Sequence, residues 1–300
     1  MSYPTYRIPS DIAHRLVDAG LAPLDVEIVI ARALAEDVGD GVDVTTVATV
    51  PTDHISRMDL VARSAGTIAG VPVAAAVFAM VEEHGIEFTF LVDDGAMVPV
   101  GQVVLSVTGP THALLRAERP ALNLLGHLSG IATATAAWAA ALAGTKARVR
   151  DTRKTTPGLR ALEKYAVRCG GGINHRMSLA DAALVKDNHV VAAGGVAEAF
   201  ALVRERFPNV PVEVEVDSLD QLEEVLAAGA DLVLLDNFDL EMCAEAVRRT
   251  AGRAALEASG GLTLERARAV GETGVDFIAV GALTHSAPVL DIGADLYEIG

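Results

Sequence analysis

Seven basic side chains, Arg153, Lys154, Arg160, Lys164, Arg168, Arg176 and Lys186, fall between residues 151 and 186, against three acids, Asp151, Glu163 and Asp181. The rest of the 300-residue chain carries 17 bases and 37 acids, so this is one cationic island in an acidic protein of formal charge -16. Arginine offers a planar fork that fits a carboxylate and lysine a point charge, so convergent residues of both kinds suit anionic groups. Arg160, Lys164 and Arg168 recur every four residues and read as one solvated helix face. Arg153, Lys154, Arg176 and Lys186 fall at strand or loop ends, where a ligand can reach them.

Two acids and two glycine turns complete the set. Glu215 and Asp236 each end an apolar run, where a bare carboxylate is costly to desolvate and calls for a cation. Barrel lysines or arginines could supply it, or Mg²⁺ held jointly by the two carboxylates and a phosphorylated ligand. EASGGL (257–262) and AVGALTH (279–285) each leave a strand, and their small residues let backbone N–H groups approach an anion. Lys186 also admits Schiff-base chemistry with a carbonyl substrate. That alternative leaves the other cations unexplained.

Elements that would position these residues follow from periodicity. Beyond residue 146 the runs ARVRDTR, AALVKD, VEVEVD, DLVLLDN, ALEASGG and DFIAVGAL alternate with helical stretches, which is βα repetition. Lys186, Glu215, Asp236, Ser259 and Gly281 are spaced by 29, 21, 23 and 22 residues, about one βα unit each. In a parallel α/β barrel such strand ends share one face. The first third instead mixes helices (DVEIVIARALAEDVG, AAAVFAMVEEHG) with short strands between glycine turns, an α+β domain over 1–118. The remainder, 119–300, is the expected barrel domain. DGAMVPVGQVVLSVTG (94–109) also suggests a biotin or lipoate carrier fold, but no lysine occurs from Met1 to Thr145, which excludes a covalent carrier there.

Charge and composition narrow the partners. The acidic balance argues against nucleic acid or an anionic membrane surface, both of which want a basic face. PALNLLGHLSGIATATAAWAAALAGT (120–145) is uncharged and long enough to span a bilayer, but its Ala, Thr, Asn123 and His127 favour a buried helix. No basic, then apolar, leader is read in MSYPTYRIPSDIAHRL, and two cysteines, Cys169 and Cys243, give no disulfide framework or metal spacing. A reducing cytoplasm is expected.

Taken together, ERPALNLLGHLSGIAT (118–133), DTRKTTPGLRALEKYAVRCGGGINHR (151–176), LVKDNH (184–189), VEVEVDS (212–218), LLDN (234–237), EASGG (257–261) and VGALTHS (280–286) resemble the quinolinate phosphoribosyltransferase family over nearly the whole chain. A small departure is EDVGDGVDVTT (36–46), which carries an extra residue relative to the family pattern. The resemblance implies an N-terminal sandwich, an incomplete α/β barrel and a homodimer with shared sites. It also implies phosphoribosyl transfer to quinolinate with decarboxylation, giving nicotinate mononucleotide for NAD synthesis, with a nicotinate-specific transferase as the nearest alternative. Carried onto this sequence, Arg119 of a neighbouring subunit, Arg153, His175, Arg176 and Lys186 would hold quinolinate. Lys154, Lys186 and His285 would face the pyrophosphate of phosphoribosyl pyrophosphate. Glu215 and Asp236 would meet its ribose and Mg²⁺, directly or through water, and Ser259, Gly260, Gly261 and Gly281 its 5′-phosphate.

Overall fold

A computed structural model describes residues 8–39, 41–82 and 84–299. The first seven residues and Asp40, part of the atypical 36–46 segment, lie outside them.

The first half of the chain forms α1 (Ser10–Asp18), α2 (Pro23–Val38), α3 (Val44–Thr49), β1 (Ile55–Ala62), β2 (Gly66–Thr67), α4 (Val71–Val81), β3 (Glu87–Phe90), β4 (Met97–Val98), β5 (Val103–Pro110) and α5 (Thr111–Ala141). There follow β6 (Arg148–Arg150), α6 (Arg160–Cys169), β7 (Ala183–Val185), α7 (Asp187–Ala193), α8 (Val196–Arg206), β8 (Val212–Val216), α9 (Leu219–Ala227), β9 (Leu232–Asp236), α10 (Leu240–Thr250), β10 (Ala255–Ser259), α11 (Leu264–Glu272), β11 (Phe277–Ala279), α12 (Ala282–His285) and β12 (Ile292–Glu298). Contacts divide the chain into two compact units. One takes the described residues of Met1–Ala134, Thr156–Gly171 and Ser286–Gly300; the other takes Thr135–Thr155 and Gly172–His285.

The first unit is built on an antiparallel sheet of order β12-β1-β5-β3. Its last strand is also the chain's last, pairing Leu60 with Ala294 and Met58 with Leu296. Against this sheet the sequence supplies α4, whose residues from Val73 to Ala79 are all buried. The N-terminus of α4 is satisfied by Asp94, which accepts from Gly70 N at 2.7 Å and Val71 N at 3.0 Å, as a carboxylate at a helix N-terminus should. Tyr165 on α6 donates to the same carboxylate at 2.5 Å, tying α6 to α4. Asp43 caps α3 by accepting from Thr45 N and Thr46 N.

Two expectations change here. The helix read over 120–145 begins earlier: α5 spans Thr111–Ala141, starts directly after β5 and carries Pro120 inside it. Lys164 is not on a solvated face. Leu162 to Val167 of α6 are all buried, so the helix packs on more than one side. In it Glu163, fully buried, accepts from Thr156 N at 3.0 Å and bonds His127 Nε2 at 2.9 Å. Burial of an acid so paired avoids the cost of a bare charge.

The second unit is a six-stranded parallel sheet of order β6-β11-β10-β9-β8-β7, with each strand after the first reached through helical crossovers. Strands β6 and β7 end this order, and Ile173 bridges the outer side of β6 at Arg150. Curvature follows from one ion pair. Strands β6 and β8 are four places apart in the order, roughly 19 Å in a flat sheet at ~4.8 Å per strand. Yet Arg150 Nη1 of β6 lies 3.8 Å from Glu213 Oε1 of β8. Side chains of that length cannot bridge a flat sheet, so the sheet curls on itself as an incomplete barrel. Among the described residues no helix, α5 included, is long and apolar enough to cross a membrane.

Candidate active site

The strands of the second unit alternate side chains between barrel interior and helices, so residues two apart point inward in successive layers. The upper layer comes from the strand ends. Lys186, immediately after β7, donates from Nζ to Glu215 Oε2 at 2.9 Å, near the end of β8. Asp236 closes β9 and pairs in register with Ser259 closing β10. Turns 259–261 and 281 follow. Gly281 is crowded: a Cβ there would stand 3.0 Å from Lys154 Cδ and 3.3 Å from His285 Nε2, which places those two side chains beside its backbone. Thr284 Oγ1 donates to Lys154 O at 2.8 Å and Lys154 N to Thr152 Oγ1 at 3.0 Å, fixing the turn that carries Lys154.

One layer down, the interior is polar. Arg150 Nη1 bonds Glu257 Oε2 at 2.8 Å, and Glu213 of β8 bonds His175 Nε2. The backbone N–H of His175 donates to Asp151 Oδ1 at 2.8 Å, and Asn174 Nδ2 donates to Asp151 Oδ2. The imidazole is thereby held from its ring and from its main chain. Burial, and then the neighbouring Glu213 carboxylate, push Glu257 up to about 8, which Arg150 offsets only in part.

The loops following β6 and preceding β7 bring Arg153 and Arg176 to the same space. Burial first, then the Arg153 guanidinium, holds Arg176 below the ordinary arginine range. Both arginines bury an Nε that has no hydrogen-bond partner. Arg176 Nη1 is spent on Ala182 O at 2.9 Å. Two guanidiniums that repel each other and leave buried donors unmet are suited to an anionic group.

All of these residues line one cavity of about 830 Å³: Arg153, Lys154, His175, Arg176, Lys186, Glu215, Asp236, Ser259, Gly260, Gly261, Gly281 and His285. Of the site residues read from the sequence, Arg119 alone belongs to the other unit. It lies on α5, with 61% of its side chain exposed and Glu118 Oε1 3.9 Å away.

The quinolinate phosphoribosyl transferase N-terminal domain model matches residues 43–129 and the C-terminal domain model residues 131–295. The chain belongs to the quinolinate phosphoribosyltransferase family. It is 54% identical over 271 residues to a nicotinate-nucleotide pyrophosphorylase [carboxylating] of Mycobacterium leprae, covering 89% of this chain and 95% of that one. A probable enzyme of the same name from Bacillus subtilis is 41% identical over 262 residues, covering 87% and 90%. Among solved structures, NadC of Streptococcus pyogenes superposes with a TM-score of 0.89 at 41% identity, covering 93% of this chain and 99% of that one.

Family membership leaves the lower layer to be read from this chain itself. Arg150, Asp151, Glu213, Glu257 and Asn237 were not singled out as site residues by sequence reasoning. A signal existed: Glu213 and Glu257 precede Glu215 and Ser259 by two residues, so strand alternation places all four on the interior face. Among the described residues His175, Glu213 and Glu257 bring possible metal-ligand atoms within 4.8 Å of one another. Arg150 faces both carboxylates, 2.8 Å from Glu257 Oε2 and 3.8 Å from Glu213 Oε1, so one guanidinium compensates the pair only in part.

Proposed function

We propose that this chain transfers the phosphoribosyl group of phosphoribosyl pyrophosphate to quinolinate with loss of CO₂, giving nicotinate mononucleotide and pyrophosphate. The observation that carries this reading is the pair of partly desolvated guanidiniums, Arg153 and Arg176, in the same cavity as two carboxylates and two glycine turns. A planar dianion and a polyanion have complementary places in it. The activity for which the family's relatives are named is the same.

In this reading Arg153, His175, Arg176 and Lys186 orient the pyridine dicarboxylate so that its ring nitrogen faces the anomeric carbon. Lys154, Lys186 and His285 neutralise the departing pyrophosphate. Ser259, Gly260, Gly261 and Gly281 seat the 5′-phosphate with backbone N–H groups. The nitrogen lone pair forms the new bond as the C–O bond to pyrophosphate breaks, so positioning and charge neutralisation carry the rate. No proton need move in that step. Ribosylation then makes the ring nitrogen cationic, which stabilises the electron pair left on the adjacent carbon when the 2-carboxylate departs as CO₂, and a proton taken up at that carbon completes nicotinate mononucleotide.

Glu215 and Asp236 fit Mg²⁺ by donor chemistry: two carboxylates at neighbouring strand ends, beside a phosphate site, offer the oxygens this hard cation prefers. When bound, the ion would supply charge neutralisation to the pyrophosphate. Lys186 spends its Nζ on Glu215, so no observation favours the Schiff-base alternative. The free, half-exposed or buried cysteines suit a cytoplasmic enzyme. We further propose a homodimer in which Arg119 of the partner subunit completes the dicarboxylate site. The Arg119 side chain is 61% exposed, with Glu118 Oε1 at 3.9 Å, which supports that reading.

Incubation with quinolinate, phosphoribosyl pyrophosphate and Mg²⁺, followed by mass spectrometry, is expected to yield nicotinate mononucleotide and pyrophosphate. Unchanged substrates, with the protein folded by circular dichroism, would overturn the reading.

A further inference from the structure

Asn237 stands one residue past Asp236 with φ of 56°; only it and Ala251 among the described non-glycine residues have positive φ. Asparagine tolerates the left-handed region better than most residues, so the backbone alone could explain its presence. Its side chain does more. Nδ2 donates to Asp236 Oδ2 at 2.8 Å. Its backbone N–H donates to Ser259 O at 2.9 Å, carrying the β9–β10 ladder one step beyond the Asp236 and Ser259 pair. Its Oδ1 lies over the Cα of Gly260, where an added Cβ would come within 2.1 Å. Gly260 itself has φ of 94°. Three contacts from one residue thus join a strand-end carboxylate to the turn 259–261.

We infer that Asn237 is a positioning residue that registers Asp236 against the 259–261 turn, so that the ribose end and the 5′-phosphate end of the phosphoribosyl donor are aligned by a single side chain. This rests on the donor assignment made above. In that assignment quinolinate faces Arg153, His175, Arg176 and Lys186 rather than the 259–261 turn, so its binding should be indifferent to the Asn237 side chain. A hydrogen bond to a charged group is worth about one order of magnitude in an equilibrium constant.

Asn237→Gly separates the two explanations, because glycine keeps the left-handed backbone and removes only the side chain. The proposal expects the KM for phosphoribosyl pyrophosphate and the inhibition constant of ribose 5-phosphate each to rise about tenfold. The KM for quinolinate and the melting temperature should stay near wild type. Values for phosphoribosyl pyrophosphate and ribose 5-phosphate within about twofold of wild type, or an equal rise for quinolinate, would overturn it. Asn237→Asp is measured alongside. It also tolerates positive φ but turns a carboxylate toward Asp236, and the same selective weakening is expected. Should the glycine variant not fold, wild-type kinetics in the aspartate variant would overturn the inference and selective weakening would support it. If the wild-type protein consumes no phosphoribosyl pyrophosphate, the functional reading itself fails; if it does and both variants match it, only the role of Asn237 fails.

Discussion

Glu257 offers a stability test of the buried polar floor. Its side chain is 2% exposed, and its cation partner, Arg150 at 2.8 Å, also faces Glu213 at 3.8 Å. Burial and the Glu213 carboxylate raise it from the ordinary 4.5 to about 8. A carboxyl raised in the folded state binds its proton more tightly there than in the unfolded chain, so its contribution to stability is fully present below 4.5 and is lost as pH rises to about 8. Each pH step in that window costs about 1.4 kcal/mol, so going from pH ~5.5 to ~7.5 removes about 2 to 3 kcal/mol. Glu257→Gln keeps the shape and cannot ionise. Urea unfolding of both proteins at the two pH values should show wild type losing about 2 to 3 kcal/mol more than the variant, with the titrations of groups outside this cluster cancelling in the comparison. Parallel pH dependence in the two proteins, within about 0.5 kcal/mol, would refute the assignment of an ionisable, destabilised acid at this position.

Three further outcomes are expected. Quinolinate should be preferred over nicotinate by roughly thirty- to several-thousand-fold in kcat/KM, because a monoacid leaves at least one desolvated cation unpaired at a cost of about 2 to 5 kcal/mol; equal turnover would contradict this. Arg176→Ala should weaken quinolinate binding more than phosphoribosyl pyrophosphate binding in calorimetry, and the reverse order would remove Arg176 from the dicarboxylate site. Arg119→Ala and Lys186→Ala should each be nearly inactive alone, yet regain activity after subunit exchange, since each heterodimer has one pocket with neither defect and could recover up to about half its sites. Exchange proven by mass spectrometry without recovery would confine Arg119 to its own subunit.

Much of the second unit was legible because its chemistry is periodic. Apolar runs ending in Lys186, Glu215, Asp236, Ser259 and Gly281 recur at one βα unit, and the cavity collects all five. What stayed hidden was contact that periodicity does not encode. The segment DIGADLYE gives no clean alternation, and its partner β1 lies more than 200 residues earlier, so the last strand could not be paired from local pattern. Lys164 fits a cationic helix stripe, but tertiary packing on the faces of α6 overrides it. Asn237 is an ordinary residue after a strand in the sequence; its positive φ and its place over Gly260 exist only once β9 and β10 are in register. The floor acids Glu213 and Glu257 were visible through alternation, although nothing local marks that both share Arg150.

The central claim is that one cavity holds a dicarboxylate and a phosphoribosyl donor together and couples their reactions. Quinolinate labelled in its 2-carboxylate tests it most directly. Labelled CO₂ should appear only when phosphoribosyl pyrophosphate is also present, in one-to-one ratio with pyrophosphate, and should fall together with it in Arg153→Ala and Glu215→Ala. Release of label without the donor, or pyrophosphate formed from quinolinate without CO₂, would contradict the account.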